Sequence, residues 1–190
     1  PTRCAWAGEH PLMQDYHDHE WGVPSYDDQI LFEFLVLEGA QAGLSWRTIL
    51  DKREGYRQAF DNFNPQLVAE YDETKRAELL ANPAIVRNQR KIDSAISNAR
   101  AFLVVQSEYG SFSDYIWSFV DHTPIHNHWQ DESEVPAETE LYRQISADLK
   151  RRGFSFVGPT IIYSYMQAVG IVDDHTIDCF CYRESNKQTT

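Results

Sequence analysis

The sequence lacks a disulfide framework, a membrane-spanning run and an excess of positive charge. Its three cysteines are an odd number and lie towards opposite ends of the chain, which argues against disulfides and leaves metal binding open. No apolar run reaches membrane length and the N-terminus shows no signal-like pattern, so we expect a soluble, cytoplasmic protein. The net charge of −12 argues, taken alone, against a nucleic-acid partner, although a local basic patch can still bind one.

Aromatic side chains, in contrast, are abundant. The 190 residues include five Trp, ten Tyr and ten Phe. This length is sufficient for one domain with a sizeable hydrophobic core, and no repeats or low-complexity tracts divide it. We therefore expect a single domain and, since no feature of the sequence requires a dimer, a monomer.

Helical patterns follow one another along the chain and predict an all-α domain. Asp27 caps a helix that runs to about Glu38, and a second helix starts at Trp46 and extends towards Phe60. Further helices are predicted over residues 64–71, 72–81, 113–120, 138–152 and 159–170, and a long helix leads from residues 85–92 to about 107. Residues 4–24 predict an irregular aromatic arm, residues 122–136 a loop, and residues 184–190 a disordered polar tail.

The stretch from Leu35 to Trp46 has the composition of a ligand pocket. Glu38 directly follows an apolar run, so its carboxylate is expected in or beside the core, where an ionised group is costly unless it is paired or binds a ligand. Small residues follow it and leave room for a flat ligand. The pattern predicts a pocket for a flat, polar ring, and the alternative is a core helix whose glutamate pairs with an arginine elsewhere.

Two Cys–His pairs predict a metal site. His175 and Cys179 are four residues apart and would share one face of a helix, while Cys4 and His17 form a second pair in the N-terminal arm. Two thiolates and two imidazoles suit a closed, structural zinc site that joins the two ends of the chain, with no open position for catalysis. The alternative is two unrelated buried cysteines and two surface histidines, and Cys181 is expected to be a small core residue.

A further histidine group, His126-Asn127-His128 with His122 nearby, superficially resembles a ligand cluster. It lies in the predicted loop without a partnering cysteine. We therefore expect a solvent-exposed loop here.

Residues 149–160 predict two helices joined by a short hairpin, with Gly153 and Gly158 at its two ends. The amide groups at the start of the second helix suit a phosphate group. Positive charge occurs in two patches, one beside the hairpin at Lys150, Arg151 and Arg152, and one at Arg87, Arg90 and Lys91. An ordinary turn with solvated charges is the alternative.

Several of these segments together resemble the DNA-3-methyladenine glycosylase I family, within the helix–hairpin–helix DNA glycosylases. The most specific are Tyr16-His17-Asp18-His19-Glu20-Trp21-Gly22-Val23-Pro24, Leu37–Trp46 and Phe156-Val157-Gly158-Pro159-Thr160. The resemblance implies this glycosylase fold over residues 1–183, with two helical lobes and a base pocket between them. It also implies excision of flipped-out 3-methyladenine from double-stranded alkylated DNA by hydrolysis of the N-glycosidic bond. A non-catalytic module that binds damaged DNA is the alternative.

The resemblance further implies the residues of the site. Glu38, the essential carboxylate, and Tyr16 read the edge of the base, and Trp46 stacks on it. Trp6 and Trp21 complete the aromatic wall. The implied DNA contacts come from Gln41, Gly43 and Leu44, with Leu44 as the wedge that fills the gap left by the base, and from Lys150, Arg151, Gly153, Val157 and Gly158. One structural zinc is implied at Cys4, His17, His175 and Cys179.

The chain departs from the family pattern at Asp173, where the family typically has Asn. One hypothesis is that Asp173 is a second carboxylate near the sugar, since many helix–hairpin–helix glycosylases carry a catalytic Asp shortly after the hairpin's second helix. The other is that Asp173 caps the helix bearing His175.

Overall fold

Most of the chain folds into α-helices, as the sequence predicts. The computed structural model describes residues 1–183, so the disordered tail predicted at 184–190 lies outside the described residues. Within residues 1–183 the α-helices are Pro11–His19 (α1), Asp28–Gln41 (α2), Trp46–Ala59 (α3), Pro65–Ala69 (α4), Glu73–Ala81 (α5), Gln89–Tyr109 (α6), Phe112–Ser118 (α7), Glu140–Arg151 (α8) and Pro159–Ala168 (α9). None of these helices is long and apolar enough to cross a membrane.

Helix α2 forms the centre of the core. Every residue from Leu31 to Ala40 is buried, which is expected of a helix that is apolar on all sides. The side chain of Asp27 accepts hydrogen bonds from amides of the first turn, as predicted for its cap. Because α3, α6, α7 and α9 pack around it, α2 holds Glu38 at a fixed depth in the core.

The other predicted helix starts are largely correct. The side chains of Ser45, Asn64 and Asp72 cap α3, α4 and α5. Helix α3 continues through Gly55, where a Cβ would lie 2.4 Å from the carbonyl oxygen of Ala84. Gly55 is therefore a point of close backbone approach within a helix and not a break between two helices.

The irregular arm predicted at the N-terminus is wrong over Pro11–His19, which forms α1. Proline stands in the first turn, and the His10 side chain accepts a hydrogen bond from the amide of Leu12. Only Tyr16 and His17 of this helix are buried. With so narrow a buried face, the helix leaves no apolar periodicity in the sequence.

A short parallel β pair is the exception to the all-α prediction. Ile125–His126 (β1) pairs with Val172–Asp173 (β2) and ties the loop at 122–136 to the C-terminal segment. The helix predicted from His175 to Cys179 is wrong, because the chain leaves this paired strand extended and then folds into turns. The two residues nevertheless approach each other, through the turns.

Candidate functional site

A cavity of about 270 Å³ opens beside the C-terminal half of α2. Its lining includes six predicted residues, Trp6, Tyr16, Trp21, Glu38, Gln41 and Trp46. It also includes Cys4 and five residues that the sequence analysis missed, Glu132, Val135, Ser164, Gln167 and Asp174. The N-terminal arm, α2 and the start of α3 therefore meet at one pocket, as predicted, together with three further segments: the loop at 122–136, α9 and the stretch after β2.

Four aromatic rings form one side of this pocket. The ring centroids of Trp6 and Trp21 are 4.9 Å apart, those of Tyr16 and Trp46 are 5.3 Å apart, and those of Trp6 and Tyr16 are 6.2 Å apart. The indole N–H groups of Trp6 and Trp46 are buried and have no hydrogen-bond partner within residues 1–183. An apolar wall with unused donors is suited to a flat heteroaromatic ring.

Glu38 has the most unusual environment of the pocket residues. Its side chain is 5% exposed, and burial raises the pKa of Glu38 to about 8, with no charged or hydrogen-bonding partner among the described residues to oppose the shift. Glu33, on the same helix and also buried, binds Arg53 at 3.0 Å. The available arginine thus pairs with Glu33, and the alternative of a paired core glutamate at position 38 does not hold.

Tyr16 lies beside Glu38 and remains protonated. Burial, followed by the charges of Glu38 and Glu20, raises the pKa of Tyr16 well above its ordinary value. Its hydroxyl is therefore available as a hydrogen-bond donor or acceptor at neutral pH. The pocket presents this hydroxyl and the unpartnered carboxyl group of Glu38 to a ligand.

The predicted metal-ligand residues meet beside the aromatic wall. Cys4, His17, His175 and Cys179 are all buried, and one candidate ligand atom from each lies within 4.8 Å of the others. Nε2 of His175 is buried without a hydrogen-bond partner in the described part of the chain. The alternative of surface histidines is wrong, because these four residues form a closed group that could hold a metal ion.

Two aspartates orient the imidazoles of this group. Nδ1 of His17 lies 2.8 Å from Asp18, and Nδ1 of His175 lies 2.7 Å from Asp173, so both rings turn Nε2 towards the group. Nε2 of His17 accepts a hydrogen bond of 3.3 Å from the backbone N–H of Cys4 and lies 3.5 Å from Sγ of Cys179. Arg3 holds Asp18 in turn, and this contact lowers the pKa of Asp18 to about 2. No helix follows Asp173, so the capping hypothesis is wrong, and its carboxylate contacts His175 instead. Asp173 is not among the residues that line the cavity, and its role as a second carboxylate near the sugar stays a hypothesis.

Asp174, which the sequence analysis overlooked, is a buried polar residue of the cavity lining. It is 2% exposed and accepts four hydrogen bonds of 2.6–2.8 Å. The donors are Asn127, Trp129, Tyr163 and Gln167. Because two of these belong to the loop at 122–136 and two to α9, Asp174 fastens the loop to the helix. A buried carboxylate with this many partners is expected to make the wall rigid.

The loop at 122–136 is therefore part of the pocket. Glu132 accepts a hydrogen bond from the backbone N–H of Trp6 at 2.8 Å, and Val135 also lines the cavity. The sequence of this loop is acidic and irregular, like that of an ordinary solvated loop. No local pattern in the loop indicates these contacts, which depend on residues more than a hundred positions away.

The remaining cysteine and histidine predictions have mixed outcomes. His122 and His128 are exposed, as expected, whereas His126 is half-buried. None of the three belongs to a candidate metal group within the described residues. Cys181 is half-buried and its N–H lies 3.4 Å from the Sγ of Cys179, so it adjoins the metal-ligand group and is not an isolated core residue.

The predicted hairpin joins α8 to α9. Gly153 has a φ of +95°, a conformation that favours glycine, and Gly158 precedes α9 without a side-chain cap. Lys150 and Arg151 are exposed beside it, whereas the Val157 side chain is buried at 2% exposure. Any contact that Val157 makes with a partner would therefore come from its backbone. The uncapped helix start with nearby cations suits a phosphate group.

Comparison with known proteins places these features in context. The methyladenine glycosylase family model matches residues 6–182. The DNA-3-methyladenine glycosylase of Haemophilus influenzae and the DNA-3-methyladenine glycosylase 1 of Escherichia coli are each 47% identical to the chain over 180 residues, covering 95% of it and 97% and 96% of their own lengths. A structure on 3-methyladenine recognition by the Staphylococcus aureus 3-methyladenine DNA glycosylase I has a TM-score of 0.93 at 38% identity, with 97% of this chain and 98% of that chain covered.

Proposed function

The chain belongs to the methyladenine glycosylase family, and on this premise we propose that it excises 3-methyladenine from alkylated DNA by hydrolysing the N-glycosidic bond. The observation that carries the proposal is Glu38, a buried carboxyl group without a partner among the described residues, next to four aromatic rings. The two curated relatives of this chain described above, which have a similar length, are DNA-3-methyladenine glycosylases. The pocket is built for a flat base that has left the DNA stack.

The charge of the substrate accounts for these residue types. A 3-methylated adenine in DNA is cationic, so aromatic faces attract it more strongly than they attract neutral adenine. We assign stacking to Trp46, with Trp6 and Trp21 completing the wall. Glu38, and Tyr16 through its hydroxyl, bind the edge of the base. A cation beside Glu38 favours the ionised carboxylate and so opposes the effect of burial on its pKa.

The same charge makes the base a good leaving group, which lessens the need for a strong general acid. The enzyme must then hold the base in place and admit water to a sugar that becomes oxocarbenium-like. Glu38 is the residue we assign to this step, because it is the pocket carboxyl group left without a hydrogen-bond or salt-bridge partner within residues 1–183.

We assign DNA binding to two surfaces. Leu44 is 40% exposed in the turn after α2 and is the proposed wedge, with Gln41 and Gly43 beside it. The hairpin, through Gly153, Val157 and Gly158 and the cations Lys150 and Arg151, is the proposed site for backbone phosphates. Few cations take part, so we expect modest DNA affinity. This affinity should fall as salt is added, because the contacts are to phosphates.

We also propose that Cys4, His17, His175 and Cys179 hold one structural zinc ion. Two thiolates and two imidazoles are a typical zinc-ligand set, and the two Nδ1–aspartate contacts fix both imidazoles for binding through Nε2. When bound, the ion supplies a cross-link between the N-terminal arm and the C-terminal segment. The Trp21 ring lies 4.7 Å from the His175 ring, so the cross-link would also support the pocket wall.

Excision can be tested on a labelled duplex that carries methylated adenines. We expect the protein to leave abasic sites, which alkali converts into strand breaks at adenine positions of the methylated duplex but not of an unmethylated one. A folded, zinc-loaded protein that retains the duplex without forming abasic sites would support the alternative of a non-catalytic damage-binding module. The two-lobed division of residues 1–183, the cytoplasmic location and the monomeric state stay predictions.

Asp173→Asn is expected to excise 3-methyladenine within about twofold of the wild-type rate, because Asp173 faces His175 and not the cavity. Loss of the carboxylate behind a ligand imidazole should instead weaken zinc binding by about 10- to 100-fold. Rates under zinc saturation and zinc affinity by competition with a chelator measure the two effects. A large loss of excision with unchanged zinc affinity would place Asp173 in the reaction.

A further inference from the structure

Lys91 behaves differently from its basic neighbours. Its Nζ donates hydrogen bonds to the carbonyl oxygens of Ala40 and Ala42, at 2.8 Å and 2.6 Å. Arg87 and Arg90 are exposed and form no salt bridge or side-chain hydrogen bond within residues 1–183. The basic patch predicted for these three residues therefore consists of two outward-facing arginines and one lysine that faces the protein.

The two carbonyl groups belong to the end of α2, where a helix leaves its last acceptors without partners. A cation there also lies at the negative end of the helix dipole. Lys91 is partly buried, and this burial lowers its pKa. Its contacts thus satisfy the end of the helix that carries Glu38.

The chain turns sharply directly after these carbonyls. Gly43 has a φ of +77°, and the N–H of Leu44 donates to the carbonyl oxygen of Gln41 at 2.7 Å. Leu44 is exposed at the tip, while Gln41 lines the base pocket. Lys91 therefore holds the start of this turn, in which Gln41 faces the pocket and Leu44 faces the solvent.

We propose that Lys91 is a positioning residue for base extrusion, which fixes the turn bearing Gln41 and Leu44 against the duplex and does not bind a DNA phosphate. This inference rests on the proposed function, since Leu44 is the wedge only if a base is flipped. The wedge must enter the stack at a defined height, and a turn released from α6 would lose that alignment. Binding of a base already outside DNA does not need the wedge.

The test compares Lys91→Met, which keeps the length of the side chain but removes its charge, with Arg90→Gln as the matched control. For Lys91→Met we expect affinity for free 3-methyladenine within about twofold of wild type and duplex excision lower by about 10- to 100-fold. The slope of log affinity for duplex DNA against log salt should stay unchanged. Arg90→Gln should lower the magnitude of that slope by about 1 if Arg90 contacts a phosphate. Amide hydrogen exchange of Leu44 should be faster in Lys91→Met than in the wild type, and it should be unchanged in Arg90→Gln.

Three outcomes would overturn the inference. Wild-type duplex excision by Lys91→Met would show that the turn does not need the lysine. A lower salt slope in Lys91→Met, with slow Leu44 exchange, would identify a phosphate contact. An equal loss of free-base affinity and excision would identify a purely structural helix cap. If the wild type itself forms no abasic sites, the proposed function fails, and the Leu44 exchange rate still decides whether Lys91 holds the turn.

Discussion

Glu38→Gln is expected to lower the single-turnover rate of 3-methyladenine release by at least about 100-fold, while the protein stays folded. The substitution preserves the size of the side chain and the aromatic wall around it. It removes the pocket carboxyl group that has no partner among the described residues and that can place a negative charge against the cationic base and the developing charge on the sugar. Rates on methylated duplex DNA at saturating protein measure the effect.

Stability provides a second signature of the same substitution. In the folded protein the pKa of Glu38 is raised by burial from an ordinary 4.5 to about 8. The free energy of unfolding that a neutral, buried Glu38 supports is therefore fully present below the pKa that Glu38 has in the unfolded chain. It is lost as pH rises towards 8. Glutamine cannot ionise, so Glu38→Gln should gain stability relative to wild type by about 1.4 kcal/mol per pH unit across this window.

Glu70→Gln is a suitable control because Glu70 is exposed and is not among the residues that line the cavity. It should leave the release rate at the wild-type value. Wild-type release by Glu38→Gln would remove Glu38 from the reaction. A stability difference that does not vary with pH would show that Glu38 is ionised in the free pocket.

Cys179→Ser is expected to lose most bound zinc and to lower the melting temperature by more than about 10 °C. The proposed structural zinc would contribute directly to folding, because its four candidate ligands come from segments at opposite ends of the chain. Binding of 3-methyladenine should weaken as well, since the rings of His17 and Trp6 have centroids 5.3 Å apart. Elemental analysis and thermal unfolding measure the two primary effects.

Cys181→Ser is the matched control, since Cys181 lies two residues away and outside the four-residue group, in a second candidate group with His17 and Asp18. We expect it to keep one zinc per chain and a melting temperature within a few degrees of wild type. Full zinc in Cys179→Ser together with zinc loss in Cys181→Ser would transfer the ligand role to Cys181. Unchanged melting temperatures in a zinc-free Cys179→Ser would contradict a structural role for the ion.

The sequence predicts those parts of the fold that depend on local chemistry. Caps such as Asp27, Ser45 and Asn64 are recognisable because their side chains bond to amides two or three residues away. The buried α2 is recognisable from its unbroken apolar run. Helix α1 is not recognisable from the sequence, because its narrow buried face depends on packing against residues far along the chain.

The residues of the candidate site also fall into two groups, those that the sequence reveals and those that it does not. Glu38 and Trp46 occur in one short, unusual stretch, and the four candidate metal ligands are Cys and His, a combination that few other roles require. Asp174 and Glu132 are ordinary acidic residues in sequence, and their positions depend on hydrogen bonds to Trp129 and to the Trp6 backbone. Such long-range contacts arise from packing, and the residue types alone do not reveal them.

The most direct test of the proposed activity is chromatographic identification of the bases that the zinc-loaded wild type releases from methylated duplex DNA. We expect free 3-methyladenine in amounts equal to the abasic sites formed, with intact strands before alkali treatment and no release from unmethylated DNA. A folded, zinc-loaded protein that binds the methylated duplex and releases no 3-methyladenine would contradict it.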